Sequence, residues 1–224
     1  VIAVAGMAFE AKIARGDGVE AVFAARADLL ERALSAALAR GASGVISFGT
    51  AGGLAPDLPP GTLIVADAVD GPFGRVATDA AWTGRLAAAL ATSPLAARVA
   101  VRRGVQAAVA APVTGAAAKE ALFRSTSGAL AVDMESHLAA AAAAAHGVPF
   151  AVCRAIVDPA WRSLPPAALA GLRDDGSTAV VPVLRELARQ PSQLRALLQV
   201  AADARAARIA LAHARRVLGR AGVL

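Results

Sequence analysis

Short β-branched runs alternate along this chain with longer stretches of Ala, Leu and Arg, and few architectures accommodate such an alternation. Residues 1–5, 19–23, 44–48, 62–66, 98–101, 105–110, 129–132 and 149–157 read as strands. Residues 28–40 read as a helix, with Leu29, Leu30, Ala33, Leu34 and Leu38 along one face and Gly41 just past its end. Segments 79–91, 116–123 and 135–146 read likewise, and 179–220 reads as helical. The expected fold is a single α/β domain, with a central mixed β-sheet flanked by helices and a basic C-terminal helix. In such sheets ligands collect beyond the carboxyl ends of the strands, so polar residues there merit a functional reading.

The net charge of +6 is unevenly placed. Acidic and basic residues balance over 1–184, and the whole excess lies in 185–224. The isoelectric point near 11.1 therefore describes a neutral body, 1–184, carrying an Arg-rich helical extension, 185–224, packed on or next to it. On a helical wheel Arg205, Arg208, Arg215, Arg216 and Arg220 fall within an arc of roughly 140°. One reading is the solvated face of a docked helix, and the other is peripheral contact with anionic lipid. Only 4% of the chain is aromatic and Tyr is absent, which argues against a base-stacking nucleic-acid module built on this tail.

Cys153 is alone, so neither an intrachain disulfide nor a Cys-based zinc cluster can form. His137, His146 and His213 show no ligand spacing, and no metal or cofactor is expected. No apolar run approaches the roughly 18–20 residues that span a bilayer. Residues 1–5 lack a basic leader, and the expected location is the cytoplasm.

Four segments carry polar groups at strand ends. Glu10 follows the first strand, either exposed in the first turn of a helix or turned into a pocket. The loop expected after strand 44–48 holds Gly49, Thr50, Ala51, Gly52 and Gly53, whose amides can cradle an anion or a ribose oxygen and its attacking nucleophile. Its spacing is not a dinucleotide fingerprint. Asp133 and Glu135 flank Met134 where a strand gives way to a helix; they suit either helix capping or the binding of vicinal hydroxyls. Asp158 ends an apolar strand, where desolvation suits it to proton donation near neutrality; a buried ion pair with Arg154 is the alternative.

Together, Gly6-Met-Ala-Phe-Glu10, Ile46-Ser-Phe-Gly-Thr-Ala-Gly-Gly-Leu54, Ala131-Val-Asp-Met-Glu-Ser136 and Cys153-Arg-Ala-Ile-Val-Asp158 resemble the purine nucleoside phosphorylase and methylthioadenosine/S-adenosylhomocysteine nucleosidase family. The resemblance spans residues 1 to about 160 and implies an enzyme cleaving the N-glycosidic bond of an adenine nucleoside. It implies Asp158 as general acid to N7 of the leaving adenine, Glu10 at the nucleophile, and Glu135 on the ribose hydroxyls with Met134 under the sugar. Thr50, Ala51 and Gly52 would form the nucleophile or phosphate site. Pro112, Val113 and Asp133 would face the purine, without the aromatic ring often found there. Val157 stands where the family commonly has a serine before its aspartate, which removes an orienting partner from Asp158.

Phosphorylases of this kind place arginines where Glu10 and Ser47 stand here. That substitution favours water over phosphate, hence a hydrolase rather than a pentosyltransferase, although Arg15 or Arg75 could still bring phosphate in as co-substrate. The opening GMAFEAKIARG, the length and the Arg-rich C-terminal helix resemble the hopanoid-associated branch. That branch implies cleavage of adenosylhopane in hopanoid biosynthesis, with a phosphorolytic or a methylthioadenosine/S-adenosylhomocysteine nucleosidase activity as alternatives. The expected assembly is a homodimer.

Overall fold

A computed structural model describes residues 1–93 and 99–224. Its strands are β1 (Ile2–Ala5), β2 (Glu20–Phe23), β3 (Val45–Gly53), β4 (Leu63–Gly71), β5 (Gly74–Ala77), β6 (Val101–Ala108), β7 (Ala131–Asp133) and β8 (Phe150–Asp158). Its helices are α1 (Ala8–Ala14), α2 (Ala27–Leu38), α3 (Ala80–Ala91), α4 (Ala116–Ser125), α5 (Ser136–Ala145), α6 (Pro166–Leu169), α7 (Val180–Arg189) and α8 (Leu194–Arg220). All the described strands join one mixed sheet in the order β2-β1-β3-β7-β6-β4-β5. β8 pairs parallel with β3 and antiparallel with β4, so β3, β7, β6, β4 and β8 form a closed circuit of pairings.

Helices cover both faces, as expected. On one side α2 sets Leu30, Leu34 and Leu38, and α5 sets Leu138, Ala139 and Ala143, against Ile2, Val4, Val45 and Val152. On the other side α1, α3 and α8 pack over Ala3, Ile46, Phe48, Val65 and Cys153. Alanine at the contact positions lets helix backbones approach the sheet closely; the larger Leu211 and Leu218 of α8 are fully buried. Each of those two leucines contributes about 2 kcal/mol of transfer free energy.

Several boundaries differ from expectation for identifiable reasons. The segment 49–53 is not a loop but the second half of β3, because it is paired to both β8 and β7. Strands 98–101 and 105–110 are replaced by the single β6, laddered to β4 along its length; Arg98 lies outside the described residues. β5, an edge strand, carried no alternation that could announce it. The helix expected over 179–220 divides at Gln190, whose backbone leaves the helical region (φ −136°, ψ 77°) ahead of Pro191. The change of charge at 184/185 falls inside α7 and marks no element boundary.

α8 buries its apolar side against the sheet. Part of its basic arc also serves docking: Arg208 lies over the Phe9 ring at 5.3 Å, and Arg215 donates to the carbonyl of Ala14 at 2.7 Å. Among the described residues no helix is long and apolar enough to cross a membrane.

Candidate active site

Glu10 occupies the third position of α1 and reaches back over the helix start, where Oε2 accepts from the amides of Gly6 and Met7, each at 3.0 Å. Its Oε1 accepts from Thr50 twice, from the amide at 2.7 Å and the hydroxyl at 2.6 Å. Of the two positions open to Glu10, exposed or turned into a pocket, it takes the second: it is 1% exposed and ties the loop after β1 to β3.

Arg154, fully buried on β8, lies beneath this end of the site. Its Nε is 3.0 Å from Asp133 Oδ2 and its Nη1 is 3.0 Å from Glu135 Oε2. It also donates to Ser47 Oγ, at 2.6 Å from Nη2, and to the carbonyl of Thr50 at 3.1 Å. Burial alone would lower its proton affinity, and the carboxylates of Asp133, Glu135 and Glu10 more than offset that. The ion pair between Arg154 and Asp158, the alternative reading of Asp158, is absent, because the ladder slips. Ala51 pairs with Ile156 but Gly52 pairs with Asp158, leaving Val157 as an extra residue. The extra residue inverts the alternation of side chains, so Asp158 no longer shares a face with Arg154.

Glu135 stands at the N-cap of α5 and points toward Gly6, where an added Cβ would lie 2.4 Å from Oε1. Burial pushes its carboxyl up to about 7, against the pull of Arg154 and with help from Asp133 and Glu10. Asp133, expected at the purine, lines the same pocket and is held by several protein groups. Its carboxylate accepts from the amides of Glu135 (3.2 Å) and Ser136 (2.9 Å), from Gln106 Nε2 (3.2 Å) and from Ser136 Oγ, besides facing Arg154. It caps α5 and anchors Arg154.

Asp158 closes the opposite side. Burial raises its carboxyl above the ordinary range, and Lys119 on α4 opposes the rise. Lys119 is fully buried and donates to Asp158 Oδ2 and to the carbonyls of Asp158 (3.2 Å), Pro159 (3.1 Å) and Arg162 (3.0 Å). Neither Lys119 nor Arg154 was singled out from sequence as a site residue. A lone basic residue inside an apolar strand was the one available signal, and it pointed to Arg154 only.

One cavity of about 180 Å³ connects these groups, at the carboxyl ends of β1, β3, β6, β7 and β8. Its lining includes Glu10, Thr50, Ala51, Gly52, Pro112, Val113, Asp133, Met134, Glu135 and Asp158, so every residue selected from sequence meets there. Val109, Val132, Leu164 and Leu172 add apolar wall. Arg15 and Arg75, the expected alternatives for holding phosphate, are not in the lining; Arg15 instead lies 5.9 Å from the Phe23 ring. Among the described residues no cluster of His, Cys, Asp or Glu is placed to hold a metal ion.

Buried carboxylates around a small, largely apolar pocket at the strand ends of a mixed sheet define an α/β protein built to hold a small polar molecule. Residues 18–190 match the phosphorylase superfamily, and the chain belongs to it. Futalosine hydrolase from Streptomyces coelicolor is 36% identical over 151 residues, covering 53% of this chain and 57% of that protein. The chain thus matches little more than half the length of that relative.

Solved structures with the same fold include 5′-methylthioadenosine/S-adenosylhomocysteine nucleosidase from Helicobacter pylori with butyl-thio-DADMe-Immucillin-A (TM-score 0.66, 15% identity, 99% of this chain and 96% of that one). Futalosine hydrolase of Helicobacter pylori follows at TM-score 0.61 and 19% identity, over 71% and 84% of the two chains. The S-adenosylhomocysteine nucleosidase from Streptococcus pyogenes, in complex with 5-methylthiotubericidin, has TM-score 0.62 and 20% identity over the same shares. These likenesses bear out the expected fold. The expectation of an enzyme agrees with the family to which residues 18–190 assign the chain, the phosphorylase superfamily.

Proposed function

We propose that the protein hydrolyses the N-glycosidic bond of a purine nucleoside, with Asp158 as general acid. The observation that carries this reading is the pairing, on one cavity, of a carboxyl raised by burial (Asp158) with a cluster of carboxylates around Arg154 (Glu10, Glu135 and Asp133). As the bond between C1′ and the base breaks, its electrons pass to the purine, and Asp158 delivers a proton to N7. Positive charge grows on the ribose, beside Glu10 and Glu135. Glu135 accepts from the 2′ and 3′ hydroxyls, and Met134 packs against the sugar. Water attacks C1′ and gives up a proton to Glu10. The Thr50 hydroxyl is the rotatable donor on Glu10 that can turn aside to admit that water. Proton donation of this kind is worth about 10²–10⁴-fold, and fixing the sugar adds an orientational gain.

Charge favours water over phosphate. Arg154 is a single cation facing three carboxylates, so this end of the pocket repels a dianion. Pro112 and Val113 remain the proposed neighbours of the base. For the 5′ substituent we favour the hydrocarbon of adenosylhopane: the segment that lines the pocket with Leu164 and Leu172 also carries the exposed Leu169, Val180, Val181 and Leu184. The 36% identity to a futalosine hydrolase supports futalosine as the second candidate.

Single-turnover assays with adenosylhopane, futalosine, methylthioadenosine and adenosine, with and without phosphate, test the reading. Base release independent of phosphate is expected, fastest with adenosylhopane. A strict phosphate requirement with a ribose 1-phosphate product would replace hydrolysis by phosphorolysis.

A further inference from the structure

Asp158 ends β8 with no polar neighbour on its own strand, since Val157 offers only methyl groups. The group that meets it comes instead from α4. Lys119 has no exposed surface, and its ammonium is surrounded by one carboxylate oxygen and three backbone carbonyls, all from 158–162. An ammonium has three protons, so these four acceptors leave none unused. Stability alone gives little reason for such a group. A buried ion pair is often no better than an apolar pair of the same volume, while its desolvation cost is large.

The geometry points to Lys119 as a positioning residue for the acid: by occupying Asp158 Oδ2 it leaves Oδ1 as the oxygen offered to the pocket. The carboxylate itself borders the lining: its two oxygens lie 3.3 Å (Oδ1) and 3.4 Å (Oδ2) from the position where Gly52, a lining residue, would carry a Cβ, and of the two only Oδ2 is taken by Lys119. The remaining charged groups near Asp158 are Asp203 on α8 and Arg162 on the following turn, and these pair with each other at 2.5 Å. Arg162 also donates to Gln199 Oε1 at 2.9 Å, so the turn after Asp158 is held between α4 and α8. The cation has a second effect. It opposes the rise that burial imposes on Asp158, so it favours release of the proton to the base. This inference rests on Asp158 being the general acid.

The test compares wild type with Lys119→Met and Lys119→Gln in single-turnover pH profiles. Lys119→Gln keeps a donor for the carbonyls of Pro159 and Arg162 and serves where the methionine variant does not fold. Both variants are expected to lose about 10²-fold in kcat with KM little changed, as misplacement of a catalytic group does. Their alkaline limb should move to higher pH, because Asp158 has lost its facing cation. In an Asp158→Asn background the same substitution should cost nothing more. An unmoved limb, or a full additional loss in that background, would overturn the role of Lys119 while leaving the hydrolytic reading intact. Wild-type protein that releases no base from any of the nucleosides would overturn that reading, and the role of Lys119 with it.

Discussion

Glu135 Oε2 lies 3.0 Å from Arg154 Nη1, yet its carboxyl is pushed up to about 7 because burial outweighs the ion pair. In its proposed role as acceptor of two ribose hydroxyls it works in the ionised form, so kcat/KM is expected to fall as pH drops through about 7. Stability runs the other way. A carboxyl raised from 4.5 to about 7 binds its proton more tightly in the folded state. Its contribution is fully present below 4.5 and is lost as pH rises through about 7. Glu135→Gln cannot ionise, so its melting temperature relative to wild type should climb between pH 5 and pH 8, although the variant itself has lost activity. Paired thermal melts at the two pH values check this, and a constant difference would count against it.

Gly6 makes room for Glu135. A methyl group there would meet Oε1 at 2.4 Å and Cδ at 2.9 Å, both at the movable end of the side chain. Gly6→Ala should therefore displace the carboxylate at little cost to the fold. The expected result is a drop in kcat/KM of about 10²-fold with a melting temperature within a few degrees of wild type. Equal loss of stability and activity would mean that the site and the fold are not separable here.

Asp158→Asn keeps the volume and the carbonyls that hold Lys119 but removes the proton. Loss of about 10²–10⁴-fold in kcat is expected, with base affinity retained and the alkaline limb of the pH profile gone. Full activity in this variant would assign the acid elsewhere in the pocket.

Cys153 is buried on β8, on the face of the sheet covered by α1, α3 and α8, and burial pushes its thiol up to about 12. At pH 8 it should react with a thiol-specific chromogenic disulfide only after the chain opens, which makes its labelling rate a measure of opening. Rapid labelling of the native protein would contradict the core described for this face of the sheet.

The chemistry-bearing ends of the strands were legible because each combines a β-branched run with an abrupt polar residue, as at Val157–Asp158 and Val132–Asp133. What sat across from them was not. Arg154 and Asp158 are four apart on one strand, and regular alternation places them together. The slip beside Gly52 that separates them is set by pairing with β3, which local sequence does not encode. Lys119 was invisible for a similar reason: it lies on the short helix read over 116–123, and only tertiary packing brings it to Asp158. Asp133 carried a signal that fitted two roles, and capping together with Arg154 took both of its oxygens.

Isotope tracing distinguishes hydrolytic release of a purine base from phosphorolysis in one experiment. With phosphate excluded and water enriched in oxygen-18, a single turnover of a cleaved nucleoside should free the base and place the label on C1 of the released sugar. Absence of base, or base formed only after phosphate is added and with unlabelled sugar phosphate as product, would contradict the account.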